Sequence, residues 1–80
     1  MNDLFFNWLL EIGKEAAMIL MPEILDMFLN KKVPDNKDAI YTKFLEAIVN
    51  SDLTTEARKK VQRKLMPGAE IILKHHKAAV

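Results

Sequence analysis

The chain has 80 residues, 50% of them hydrophobic and 29% charged, with a formal net charge of +1 and no cysteine. That composition belongs to a globular chain rather than a disordered one, and the length leaves room for one domain, 1–80, with one core. Without thiols there is no disulfide framework, no thiolate zinc site and no cysteine nucleophile, so stability must come from packing, and a core this small is expected to gain from self-association.

The opening Met1-Asn2-Asp3 has no basic n-region and the first lysine is Lys14, so no export signal is expected and the expected location is cytoplasmic. Residues 4–29, LFFNWLLEIGKEAAMILMPEILDMFL, contain 18 apolar residues. A membrane span needs an unbroken run of roughly 18. The longest run here, Ala16 to Met21, is six. Glu11, Lys14, Glu15, Glu23 and Asp26 interrupt the rest, each costing ~2.5–3.5 kcal/mol near a bilayer centre. No membrane span is expected. Attachment flat on a bilayer is not expected either, because interfacial helices carry Lys and Arg on their polar face and this one carries Glu11, Lys14 and Glu15.

The stretch predicts a first helix from about residue 4 to Leu20. At 100° per residue, Asn7, Lys14, Glu15 and Met18 fall within ~60° of Glu11 and form a narrow solvated strip. The remaining circumference divides into two apolar ridges. Phe5, Trp8, Ile12, Ala16 and Ile19 form one; Phe6, Leu10, Gly13, Ala17 and Met21 form the other, with Gly13 and Ala17 as a small-xxx-small pair. One ridge suits the chain's own core and the second then needs another cover, although a central helix enclosed by its own bundle has the same pattern. The expected partner interface is therefore Phe5, Phe6, Trp8, Leu9, Leu10, Ile12, Gly13 and Ala17, in a symmetric homodimer. Trp8 is its expected hot spot, and which ridge faces the partner stays open.

Pro22 removes a backbone donor and disfavours helix at Met21, so the first helix is expected to end or kink there. Proline suits the first turn of a new helix, and Glu23 and Asp26 suit the positive end of its dipole, so a second helix from Pro22 to about Lys31 follows. NKKVPDNKD reads as the connecting loop. Asp35 or Asn36 caps a third helix to about Val49, whose buried stripe is Ile40, Phe44 and Ile48. NSDLTT is the next break, and Thr54 caps a fourth helix to Met66. Pro67-Gly68 interrupts once more before a last helix, AEIILKHHKAAV, with a fraying end. The expected fold class is all-α, a compact bundle of four to five short helices, Pro-interrupted at Pro22 and Pro67.

Residues 1–40 carry four lysines against seven acids, net −3, and residues 41–80 carry eight bases against four acids, net +4. The sharpest block is RKKVQRK. There Ala57, Val61 and Leu65 make a narrow apolar stripe, and Lys59, Lys60, Arg63 and Lys64 form a basic patch opposite it, while Arg58 departs from that patch. Such a face suits phosphates or an acidic partner, and it also suits an ordinary solvated helix. The pI of about 8.0 and the lack of aromatics among the bases point to weak, non-specific nucleic-acid binding at most. A helix-turn-helix around Pro67-Gly68 would present Ala69, Glu70, Ile71 and Ile72 to the groove, which is poor chemistry for reading bases.

His75 and His76 are adjacent and diverge by ~100° on a helix, so they do not chelate one ion. Glu70 and Lys74 are spaced for a helix ion pair. Ser51 is the only serine, and the carboxylate pairs Glu11/Glu15, Glu23/Asp26 and Asp52/Glu56 sit on wet faces. Neither an enzyme, a metal nor a cofactor is expected. The leading expectation is a small helical protein–protein interaction module, self-associating, that regulates or inhibits by binding a partner protein. The alternative is a small nucleic-acid-binding regulator using the basic helix 54–66.

Overall fold

The computed structural model describes residues 3–30 and 32–79, the side chains of Ala78 and Ala79 excepted. The expectations about an export signal at Met1-Asn2, a helix end at Lys31 and fraying at Val80 lie outside the described residues. Four helices are present: α1, Asp3–Ile12; α2, Lys14–Leu29; α3, Lys37–Val49; and α4, Thr55–Ala79. They pack in a ring, α3 on α4, α4 on α1, α1 on α2 and α2 on α3. The bundle measures 37 × 22 × 19 Å, and its long axis matches the ~37 Å that 25 helical residues span at about 1.5 Å each.

The expected single helix over residues 4–20 is divided at Gly13, which has φ +90° and ψ 160°. That conformation is open essentially to glycine alone. Two backbone bonds stitch the break: the Gly13 N–H donates to the Leu9 carbonyl and the Ala17 N–H to the Gly13 carbonyl. The benefit lies in packing. The turn brings Trp8 and Ile12 of α1 into the same core as Ala16, Leu20, Ile24 and Met27 of α2. Gly13 is not helical, so it forms no helical small-residue pair with Ala17.

Neither proline ends a helix. Pro22 lies inside α2 and Pro67 inside α4, which corrects the helix ends expected at both and fixes the number of helices at four among the described residues. An internal proline costs a helix ~3 kcal/mol, partly because the carbonyl four residues earlier loses its donor. Here those carbonyls belong to Met18 and Arg63. Pro22, Pro67, Met18 and Arg63 are all exposed, and on an exposed helix face water can replace the missing donor. The buried stripe also runs past each proline without a change of phase: Leu20, Ile24 and Met27 in α2, and Val61, Leu65, Ala69 and Ile72 in α4.

The connectors follow their local chemistry. Asn36 caps α3, its Oδ1 accepting from the Ala39 N–H at 2.8 Å. Thr54 caps α4 through Oγ1 and the Ala57 N–H at 3.2 Å. Ile40, Phe44 and Ile48 are fully buried, the stripe expected for the third helix. Between α3 and α4, Leu53 is also buried. The Ser51 hydroxyl donates to the Ile48 carbonyl and the Arg58 guanidinium to the Ser51 carbonyl, so this turn is closed by polar groups around an apolar plug.

The core centres on Trp8. Its Nε1–H donates to the Lys64 carbonyl at 2.8 Å, and its ring stacks on Phe44 with centroids 5.8 Å apart and planes 22° from parallel. Its six-membered edge lies against Gly68, where a Cβ would collide with the indole. Gly68→Ala gains up to ~1 kcal/mol of helix propensity, while overpacking a filled core costs ~1–3 kcal/mol. The indole is bonded and stacked and has no retreat, so overpacking dominates. We predict that Gly68→Ala lowers stability by about 1–2 kcal/mol, measured by urea unfolding with Trp8 fluorescence as the reporter; an unchanged or raised midpoint would show that the ring has room.

Candidate functional site

The residues expected at a partner interface are divided by the fold. Trp8 is 1% exposed and Ile12 is 7% exposed; Phe5, Leu9, Gly13 and Ala17 are half-buried, and only Phe6 and Leu10 are exposed. The ridge of Phe5, Trp8, Ile12, Ala16 and Ile19 is thus the one turned to the chain's own core. Trp8 cannot anchor a partner that meets the folded surface, because every face of the indole is already occupied. The second ridge keeps Phe6 and Leu10 in solvent at its α1 end, while Ala17 and Met21 pack partly against the core.

The main apolar surface lies further along the chain. Met18, Leu25 and Leu29 are 66%, 47% and 75% exposed, and Pro22 between them is exposed as well. With Met18 as origin, all four fall within an arc of ~60° on α2. Leu4, Phe6 and Leu10 are exposed on α1 and Val49 at the end of α3. Isolated exposed apolar residues are ordinary, but a straight stripe of them over several helical turns is not. The sequence signal for it was the alternation of four- and three-residue steps at 18, 22, 25 and 29, which becomes visible only when α2 is taken as one helix through Pro22.

The basic patch is solvent-facing: Lys59, Lys60, Arg63 and Lys64 are all exposed. Lys64 Nζ stands 3.9 Å from Glu11 Oε2, so the acidic N-terminal half neutralises one end of the patch. Arg58 is turned into the α3–α4 turn, in keeping with its departure from the patch. An open groove of about 610 Å³ runs beside these bases, with Ile12, Ala16, Leu53, Ala57 and Val61 as apolar lining, Lys60, Arg63 and Lys64 contributed by α4, and Glu11, Lys14 and Glu15 from either side of Gly13. With both signs of charge on its rim, the groove selects no charge type in a ligand.

Four of the remaining candidates, His75, Glu70, Asp26 and Ser51, make contacts within the fold. His75 meets the edge of Phe28, ring centroids 5.8 Å apart, and no three His, Cys, Asp or Glu side chains among the described residues converge where they could hold a metal ion. Glu70 pairs with Lys37 of α3 at 3.4 Å rather than with Lys74, because α3 brings a cation across the helix boundary. Asp26 accepts a hydrogen bond from the Asn30 side chain at 2.6 Å, and the Ser51 hydroxyl is spent on a helix end. No helix among the described residues is long and apolar enough to cross a membrane.

The burial of Trp8 has a sharp consequence for mutation. A carboxylate in its place would sit unpaired among Phe5, Phe44 and Gly68, a position where an ionised group is very costly. Trp8→Glu is expected to abolish the cooperative thermal transition seen by circular dichroism at 222 nm. A folded variant of lower mass would instead place the indole between molecules. Compared with known proteins, the chain matches no family model, no curated protein and no solved structure.

Proposed function

We propose that this chain is a small helical protein–protein interaction module that self-associates and acts as a regulator or inhibitor by occupying a partner protein. The observation that carries the reading is the set of large apolar side chains left in solvent outside a complete core, Leu4, Phe6 and Leu10 on α1 and Met18, Leu25 and Leu29 on α2. Covering a Leu- or Phe-sized side chain fully is worth ~1.5–3 kcal/mol, and association costs ~4–15 kcal/mol. Four to six such side chains reach that range and one does not. Light scattering from micromolar to millimolar protein tests the reading: the expected mass approaches twice the 9.2 kDa of one chain as concentration rises, and a monomer throughout would overturn self-association.

The second reading, a nucleic-acid-binding regulator, is favoured by the four exposed bases on one side of α4. Two things weigh against it: the Glu11 carboxylate beside Lys64, and the lack of a stacking aromatic near the patch. Binding of duplex DNA or RNA is expected to be weak, to fall steeply with salt, and to be lost in Lys59→Glu/Arg63→Glu without a change in the thermal transition. A tight, sequence-selective complex at physiological salt would put this reading first.

A further inference from the structure

We infer that the self-association surface is the outward face of α2, and that a second copy docks on it antiparallel. The inference rests on the self-association proposed above and specifies its geometry. On α2, Glu15, Met18, Pro22, Leu25 and Leu29 are all exposed and recur in alternating steps of three and four, and Lys32, two residues past the Asn30 cap and outside the helix, is exposed as well. That is the a/d spacing of a helix–helix seam. Four consecutive seam positions are apolar. The seam opens on an acid at the N-terminal end and closes on a base just beyond the C-terminal end.

Self-complementarity fixes the direction. In a two-fold symmetric contact the same patch must fit itself. A parallel pairing would stack Glu15 on Glu15 and Lys32 on Lys32, like charges at both ends. An antiparallel pairing sets Met18 against the partner's Leu29 and Pro22 against the partner's Leu25, and it places Glu15 beside the partner's Lys32 at each end. Each apolar layer then joins an a position to a d position, as antiparallel helix pairs require, and each apolar residue meets an apolar residue. The opposite-sign ends are the complementarity that selects a second copy as the occupant. The seam is short, so the dimer is expected to be concentration-dependent rather than permanent.

The chain contains no cysteine, which allows a direct test by cross-linking. Met18→Cys and Leu29→Cys each replace a side chain that is exposed, and circular dichroism checks that each variant stays folded. Under copper-catalysed air oxidation, an equilibrated mixture of the two variants is expected to give a mixed disulfide joining position 18 of one copy to position 29 of the other, since a bridge needs Cα atoms ~4.4–6.8 Å apart. Neither variant alone is expected to cross-link appreciably. Self-cross-linking of each variant alone would overturn the antiparallel direction. If the unmodified chain has twice its monomer mass but the mixture gives no mixed disulfide, the seam is wrong while self-association stands; if the chain is monomeric at every concentration, both fall. Glu15→Lys is further expected to weaken the dimer by about tenfold, through two symmetry-related pairs turned repulsive, and Lys32→Glu added to it to restore the affinity. Failure of the second substitution to restore dimerisation would overturn the register.

Discussion

The contact between the Trp8 indole and the backbone of α4 at Gly68 is the one on which the other packing depends. Helix α1 has ten residues and buries only Trp8 and Ile12. A helix so short is not stable by itself in water, so its place is decided by tertiary packing. The indole has one polar atom that must be satisfied when buried, and the Lys64 carbonyl accepts it. A carbonyl oxygen has two lone pairs, so Lys64 can take the indole N–H without leaving the helical ladder. Gly68 gives the ring its close approach. From there aromatic contacts run through every helix: Phe44 of α3 to Trp8, Trp8 to Phe5, Phe5 to Phe28 of α2, and Phe28 to His75 of α4.

Gly13 determines what remains for the surface. Had α1 and α2 formed one rod, its two apolar ridges would have diverged from any single core over roughly 26 helical residues. The positive φ at Gly13 lets each half direct its own buried residues inward, Trp8 and Ile12 from one and Ala16, Leu20, Ile24 and Met27 from the other. Once those positions face the core, the outward positions are set by helical geometry. On α2 they are the apolar residues at 18, 22, 25 and 29. The exposed stripe is therefore not an excess left by poor packing. It is the opposite face of a helix whose inner face is already complete.

The sequence carried the class of fold, the α3 stripe, the two loops, the cap at Thr54 and, as one of two candidates with Asp35, the cap at Asn36, because each of these rests on interactions within a few residues. It misled at both prolines. Local propensity argues for a break at Pro22 and Pro67, and the argument fails because both prolines lie on the exposed face of their helices while the buried stripe continues in phase. That continuation is legible in the apolar spacing of Val61, Leu65, Ala69 and Ile72, which holds its phase across Pro67. The Gly13 break was not legible, since glycine within an apolar run fits a helix as well as a turn. Trp8 fits an interface and a core equally in one dimension. Only the approach of Gly68, sixty residues away in sequence, decides between them. Leu53 was hidden for a similar reason: its neighbours Ser51, Asp52 and Thr54 read as a wet loop, and the loop closes over the core.

The distribution of surface chemistry separates two sides of the molecule. Among the described residues, six of the seven exposed large apolar side chains belong to α1 and α2, and Val49 of α3 is the seventh. Helix α4 exposes Lys59, Lys60, Arg63, Lys64 and Lys74 instead. The two surfaces differ in how they respond to conditions. Salt screens exposed charges beyond ~8–10 Å at ordinary ionic strength, whereas burial of apolar surface persists in salt. The proposed dimer would cover the apolar stripe of α2 and leave α4 outside the contact, so a symmetric pair would present two basic helices to a common partner. Each would bind weakly by itself, and the linkage through α2 would raise the effective concentration of the second once the first is engaged. On the proposed reading, self-association through α2 would leave the basic face of α4 free, so the two surfaces could be engaged at the same time.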